Sequence, residues 1–409
     1  MKILATAPFL PWPPIDGGRI VAYHHVRGLA GRGLDVTMIY AARRAEDTGN
    51  AAHLEPFGTV RVVPARARSA VGAAAAALAR GGSLRVERHR VPGLQEAVVA
   101  TLEEESGAPF DVVLLDSMFT AYLVPAVRAA APRARIVLFE HNVESQVFRR
   151  LVTTTRSPGW RLLSAWETPR VEAAERRAAE AVDRVLTLSR EDADTLRALA
   201  PAANVSVLGP GVATSAGEAI APPPEPRRAL FLGSYHWPPN RDAVRWLLRE
   251  IWPRVRRRLP DARLVLAGND PSGEMRALAD PAAGVEARGF VEDVAATTRE
   301  AAVCLAPLRF GGGIRLKVLE ALANERPVVG TTPGLEGLEL TPGEHVTLAD
   351  DAEGLAGAMA ELLQDPERAA RQARAGRAHV EETCSWDAVA RRMEATFLEL
   401  IEERRPDER

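Results

Sequence analysis

The sequence predicts an α/β fold made of two doubly wound, parallel-sheet halves joined by one linker. Three observations carry this. Short β-rich apolar runs alternate with longer stretches at helical period. Runs such as VVLLD (112–116) and IVLFE (136–140) are apolar almost throughout, as strands covered on both faces must be. The alternation breaks once, at 210–228, where five prolines and no periodicity read as an extended linker.

In the first half, strands are expected at 2–7, 35–40, 60–63, 111–116, 135–140, 184–189 and 205–208. Helices are expected at 19–32, 93–105 and 160–182. In the second half the strands are 229–233, 263–267, 285–287, 303–307, 327–330 and 346–348. The helices there are 242–259, 314–324 and 352–363. A final helix, 385–402, repeats Trp386, Val389, Met393, Phe397 and Ile401 at helical spacing, with Ser385 as its N-cap. The expected domains are therefore 1–209, a linker 210–228, 229–384 and a terminal helix 385–409. Two such halves place a cleft between them, and ligands of these sheets sit at strand carboxyl ends.

The length of 409 residues suits two or three domains. A net charge of −2 provides no bulk field for nucleic acid. Cys304 and Cys384 are too few and too far apart for a disulfide framework, which fits a reducing compartment. Residues 1–10 are too short and too interrupted by proline for a signal peptide. The longest apolar run, 71–79, is well below the ~20 residues of a spanning helix. A soluble, cytoplasmic protein is expected. The basic residues are almost all arginine: Lys2 and Lys317 are the only lysines.

Lys317 stands in the most informative segment, APLRFGGGIRLKVLEALANERPVV (306–329). A strand ends, Gly311, Gly312 and Gly313 follow, and an amphipathic helix begins. Glycines let backbone N–H groups approach an anion, and a helix N-terminus attracts one. Arg315 and Lys317 fall in the first turn, where the macrodipole disfavours cations unless an anion binds there. Lys317, Glu320 and Asn324 share one face of that helix, and Val318, Leu319 and Leu322 supply its buried side. The alternative is a glycine-rich turn with solvated charges.

Gly17–Gly18, after the first strand, open a helix that Asp16 can cap; an ordinary turn and a ligand loop both fit them. Glu140, His141 and Asn142 follow the fifth strand, where a cleft-facing triplet competes with helix capping by Asn142. Gly233 ends the first strand of the second half, before a helix cap at Asn240 or Asp242. Asp192 and Asp194 form a D-x-D early in a helix, better explained by capping than by metal. There is no G-x-G-x-x-G, Walker loop, G-x-S-x-G elbow or metal-ligand spacing. The arginine-rich stretch 61–90 fits a solvated helix face better than peripheral membrane contact, given the arginine bias of the whole chain.

The run PLRFGGGIRLKVLEALANERPVVGTTPGLEGL resembles the donor-binding signature of bacterial glycosyltransferase family 4. FLGSYHWPPNRDAVRWLLREIWPRVRRRLPDARLVLAG is similar to the opening of that family's C-terminal domain. PFLPWPPIDGGRIVAYHHVRGLAGRGLDVTMI, FEHNVES and VDRVLTLSREDADTL are similar to its N-terminal domain. The resemblance covers most of the chain in order, and is weakest near 48–108 and in the linker. It implies a GT-B fold, with two Rossmann-like domains facing a cleft and a C-terminal helix crossing back onto the first. It also implies a retaining transfer of a sugar from a nucleoside diphosphate sugar to a glycan, lipid-linked or small-molecule acceptor, with no cofactor and no required metal. On that pattern Glu320 binds the donor ribose, Arg315 and Lys317 face the diphosphate, and Gly17–Gly18 approach it from the other domain. His141 lies near the donor sugar and acceptor. Two positions depart from the family. Gly312 stands where a glutamate is usual, and Ser234 where an arginine follows Gly233, with Asn240 or Arg241 near the usual lysine. Two other functions stay open: a sugar-nucleotide epimerase of the same GT-B fold, and a nucleotide-sugar-binding protein with little catalysis, to which Gly312 points.

Overall fold

The computed structural model describes residues 1–14, 16–42, 45–65, 69–105, 107–154, 158–214, 217–270, 273–311 and 314–403. It divides into two compact units, Met1–Gly209 with Val389–Arg409, and Pro210–Ala388. Each is a Rossmann-like layer of parallel strands between helices.

The first unit holds seven strands: β1 (Lys2–Ala7), β2 (Asp35–Ala42), β3 (Thr59–Pro64), β4 (Val112–Asp116), β5 (Arg135–Glu140), β6 (Arg184–Thr187) and β7 (Val205–Val207). Their spatial order is β3-β2-β1-β4-β5-β6-β7, every pairing parallel. The chain reverses direction across the sheet between β1 and β4, the position where such sheets open a crevice at their carboxyl ends. All five residues of β4 are buried, which is why VVLLD has no polar alternation.

The second unit holds β8 (Arg228–Leu232), β9 (Arg263–Ala267), β10 (Val285–Gly289), β11 (Val303–Ala306), β12 (Val328–Gly330) and β13 (Thr347–Leu348). Their order, β10-β9-β8-β11-β12-β13, is again parallel and switches between β8 and β11. The proline-rich segment is irregular but attached to this unit. Val212 N–H donates to Cys384 O at 2.8 Å, and Arg326 Nη2 donates to Ala221 O at 2.7 Å. Gly211 is required there, because a Cβ would stand 2.1 Å from the Trp386 ring.

The terminal helix, Trp386–Glu402, begins at the predicted cap: Ala388 N–H donates to Ser385 Oγ at 3.2 Å. From Val389 onwards it belongs to the first unit, where Val389, Met393 and Phe397 are buried. Burying side chains of this size contributes ~1.5–3 kcal/mol each. Arg392 Nε donates to Leu208 O and Arg135 Nε to Leu400 O, both at 2.8 Å, and Arg32 pairs with Glu394.

Three sequence expectations are corrected. The helix expected at 242–259 begins at Pro238, with proline supplying a preset φ at its start, and a π-turn at Leu247–Ile251 divides it. Asn240 and Asp242 therefore lie inside the helix and cap nothing. Arg315 is not in the first turn of its helix but precedes Leu316–Ala323 as the N-cap residue. Asn324 is the C-cap; its Nδ2 donates to Glu320 O at 2.8 Å and its Oδ1 accepts from Arg299 Nε at 2.9 Å, so its polar atoms serve the helix end. Among the described residues no helix is long and apolar enough to cross a membrane.

Candidate active site

In the second unit the residues singled out from sequence converge on the switch between β8 and β11. The chain leaves β8 through Gly233, whose N–H donates to Ala267 O at 2.9 Å. This loop lies too close to its surroundings for side chains. A Cβ on Gly268 would stand 2.0 Å from Gly233 O, and one on Gly233 would stand 2.7 Å from the Asn240 amide. Asn240 uses that proximity. Its Nδ2 donates to Ser234 O at 2.9 Å, and its Oδ1 accepts from Lys317 Nζ at 2.9 Å. The buried amide thus ties the β8 loop to the helix after β11.

Lys317 Nζ also lies 4.4 Å from the centre of the Phe231 ring. Burial, and then the neighbouring Arg315 charge, push its ammonium down to about 7 from an ordinary value of 10.5. No carboxylate among the described residues lies within ion-pair distance of it. Arg315 is 3% exposed; its guanidinium donates to Pro333 O at 3.1 Å and lies 5.1 Å from the Trp237 ring centre. Gly311, at φ +131°, fits under the same pair, and a Cβ there would meet Trp237 at 3.1 Å and Arg315 at 3.2 Å. Glu320, one turn beyond Lys317, is pushed up to about 7 by burial. The cluster is a part-buried, cationic corner with one carboxyl beside it. Gly312 and Gly313 lie outside the described residues.

The first unit carries a different cluster at its own switch point. Asp116 ends β4 and His141 follows β5, and His141 Nε2 is hydrogen-bonded to Asp116 Oδ1. The Nδ1 atom is buried with no hydrogen-bond partner among the described residues. His25, from the helix Gly17–Gly31, packs edge-on against Phe139 at 4.5 Å, and Phe139 packs edge-on against His141 at 4.9 Å. Burial holds His25 down to about 4, so this imidazole is neutral at pH 7. Glu140 points into a buried carboxyl cluster instead. Burial and then Glu175 hold it far above the usual carboxylate range, and Glu175 itself is pushed up to about 7 by burial. Gly17 and Gly18 open the His25 helix behind Asp16, which accepts from Arg19 N–H at 3.0 Å as the expected cap.

Sequence reasoning missed Asp116, His25 and the bridging role of Asn240. Asp116 carried a usable signal, a lone acid at the carboxyl end of an apolar strand beside the switch. Asn240 was singled out only as a cap and as standing near the family's usual lysine, and with its helix placed too late its bridge to Lys317 went unseen. Among the described residues no group of three or more His, Cys, Asp or Glu side chains is placed to hold a metal. Asp192 and Ser189 form a reciprocal cap: Asp192 N–H donates to Ser189 Oγ at 3.0 Å, and Ser189 Oγ donates to Asp192 Oδ2 at 2.7 Å.

Known proteins align with both units. The family described as "Glycosyl transferase 4-like domain" matches residues 16–211, and "Glycosyl transferases group 1" matches 226–365. The chain belongs to glycosyltransferase family 4. Within that family it is similar to a GDP-mannose-dependent monoacylated alpha-(1-6)-phosphatidylinositol monomannoside mannosyltransferase of Corynebacterium glutamicum, with 33% identity over 36% of this chain and 41% of that one. A GDP-mannose-dependent alpha-(1-6)-phosphatidylinositol monomannoside mannosyltransferase of Mycolicibacterium smegmatis is 28% identical over 70% of this chain and 83% of its own. The chain spans only 33% to 41% of the length of the first three curated relatives it matches. The fold is that of solved GT-B glycosyltransferases. Sucrose-phosphate synthase from Thermosynechococcus elongatus superposes with a TM-score of 0.66 at 17% identity, over 98% of this chain and 100% of that one. Anabaena Alr3699/HepE in complex with UDP superposes at 0.63 and 15% identity, over the same shares.

Proposed function

We propose that the protein transfers a sugar from a nucleoside diphosphate sugar to an acceptor hydroxyl, with retention at the anomeric carbon. The observation that carries this reading is Lys317: a part-buried ammonium, pushed down to about 7, beside the Arg315 guanidinium and a glycine turn. Such a cation is costly to keep unless an anion compensates it. A diphosphate has the charge and the size. The relatives named for GDP-mannose and the neighbour bound to UDP support a nucleotide-sugar donor.

In this reading Lys317 and Arg315 hold the diphosphate, Glu320 accepts from the ribose hydroxyls, and Gly233 and Gly311–Gly313 let backbone approach it. As the anomeric C–O bond breaks, negative charge grows on the leaving phosphate oxygen, where preorganised cations stabilise it. The acceptor oxygen bonds to the anomeric carbon on the same face, and its proton passes to the departing phosphate oxygen. No metal or other cofactor enters the scheme. His141, with Gly17 and Gly18, is assigned to contacts with the donor sugar and the donor's phosphates. The reading places the enzyme in the bacterial cytoplasm, where its free thiols stay reduced.

For the acceptor, exposed apolar side chains on the helices Ala70–Arg80 and Pro158–Ala181 favour a lipid-linked molecule. Val71 is 80% exposed, Leu78 72%, Leu162 73% and Trp160 58%. In the sequence, 66–90 and 144–170 carry eleven arginines against three glutamates. Apolar side chains among arginines suit the headgroup region of an anionic membrane, the reading set aside on composition alone.

The test is donor turnover, followed by mass spectrometry with UDP- and GDP-sugars, with and without lipid and sugar acceptors. Product only with an acceptor supports transfer. Donor conversion without one means an epimerase, and binding without product means a binding protein. Retention is read from the anomeric configuration of the product. Flotation with phosphatidylglycerol vesicles tests the acceptor class, and no flotation would remove the membrane reading.

A further inference from the structure

The second unit carries a partly open cavity of about 380 Å³ that none of these roles uses. Residues just before strands form its floor: Pro226 before β8, Ala302 before β11 and Pro327 before β12. Gly233 and Gly311 follow the opposite ends of β8 and β11. The cavity and the candidate active site are thus at opposite ends of one sheet. Prolines of the 220–226 segment and alanines of the helix Pro366–Thr383 make its walls apolar.

Its charges are unbalanced. Arg326 is 4% exposed, yet among the described residues its guanidinium donates only to carbonyls, those of Arg299, Glu325 and Ala221, at 2.7–3.1 Å. Arg374, exposed at the cavity wall, has no ion-pair partner among the described residues. The carboxylate at the wall, Glu325, is already held by Arg377 Nη1 at 3.0 Å. Two arginines therefore line an apolar cavity whose one lining carboxylate, Glu325, is engaged by Arg377, and a buried cation without a counter-charge is costly.

Glu325 adds a second observation. The helix Leu316–Ala323 ends in a Schellman motif, with Arg326 N–H donating to Ala321 O and Glu325 N–H to Leu322 O, both at 2.9 Å. Its left-handed position, normally glycine, is Glu325 at φ 51°. That backbone costs about 1 kcal/mol, and such strain gathers at ligand sites.

We infer that this cavity binds a small amphipathic organic anion, its carboxylate or sulfonate toward Arg374 and Arg326 and its apolar body against the prolines and alanines. The volume lies within the ~300–1,000 Å³ range of small-molecule sites. The helix that caps the cavity with Glu325 also carries Lys317 and Glu320, so an occupant would touch the far end of an active-site element.

The probe is octanoate, titrated calorimetrically into the full chain, with octylamine as the cation of equal apolar length. One octanoate per chain and no saturable octylamine binding are expected. Arg374→Glu, at an exposed position, should weaken octanoate about tenfold, and Ala370→Trp should fill the cavity and abolish binding. No octanoate binding, equal octylamine binding, or octanoate binding unchanged in Arg374→Glu would each overturn the inference. Arg374→Glu keeps the test decisive if Ala370→Trp fails to fold.

Discussion

The two switch points share one topology and differ in chemistry. At β8/β11 the side chains that gather are the cations Arg315 and Lys317, with Glu320 one turn on and Lys317 held by Asn240. At β1/β4 they are imidazoles and carboxyls, with His141 held by Asp116. The sheet decides where a site forms, and the side chains at the strand ends decide what it can hold. A cationic corner suits an anion. A neutral His25 beside a His141–Asp116 pair suits hydroxyls and protons. If each cluster does its own part, mutations in one should change a measurable that mutations in the other leave alone.

The largest effect is expected at Lys317. Lys317→Ala removes a charge-assisted contact worth about 1.5–3 kcal/mol, so UDP or GDP affinity should fall roughly 10- to 100-fold by calorimetry. The fold should not suffer, because burial of that ammonium already opposes folding. Lys317→Met should therefore keep or raise Tm while losing nucleotide affinity. Unchanged nucleotide binding in both variants removes the diphosphate assignment.

Asp116→Asn comes next and should behave in the opposite way. With Asp116 accepting from His141 Nε2–H, the tautomer leaves Nδ1 as an acceptor, buried and with no hydrogen-bond partner among the described residues. An asparagine no longer fixes that tautomer. Turnover should fall about tenfold or more with nucleotide affinity within twofold. A matching loss of nucleotide affinity would mean that the division between the clusters is wrong.

A smaller, pH-dependent effect sharpens the comparison. Free Lys317 titrates near 7, and a bound diphosphate raises that value by attraction. Binding therefore takes up a proton near pH 7–8, and affinity falls as pH rises through that window. Calorimetry in buffers of different ionisation heat reads the uptake directly. The uptake should vanish in Lys317→Ala and persist in Asp116→Asn.

Much of this was legible in the sequence, unevenly. Apolar strands such as VVLLD declared themselves because both faces are covered, and the Ser385 and Asp16 caps followed from local chemistry. The segment from Gly311 to Glu320 was legible because it breaks a local rule, placing cations where a helix dipole opposes them. Asn240 was not. Its function depends on a 2.9 Å contact with Lys317 across 77 residues, and no local pattern encodes that. The helix Pro366–Thr383 was likewise passed over, since its buried side mixes Ala369, Ala373 and Val380 with Gln372, Gly376 and Arg377, so its apolar period is faint. The exposed faces at 70–80 and 158–166 needed the fold. Composition assigned the arginines of 61–90 to solvent, while the exposure of Val71 and Leu78 separates this stretch from an ordinary charged helix.

The smallest effects concern glycines, and they separate fold from function most cleanly. A Cβ at Gly233 would stand 2.7 Å from the Asn240 amide, so Gly233→Ala must displace the side chain that holds Lys317. It should lower Tm by a few degrees and nucleotide affinity together. Among the described residues Gly17 has nothing within 4 Å of an added Cβ, and at Gly18 the nearest atoms, on Asp16 and Phe9, are at an ordinary 3.6 Å. Neither carries a positive φ. Within the helix Gly17–Gly31, alanine at these positions should stabilise the chain by ~0.5 kcal/mol through reduced unfolded-state freedom. The packing of the described residues thus gives no reason for glycine at either position, and the proposed approach of the donor would supply one. Gly18→Ala should raise Tm slightly yet lower donor turnover. A variant that gains stability with full turnover would return this turn to an ordinary helix start.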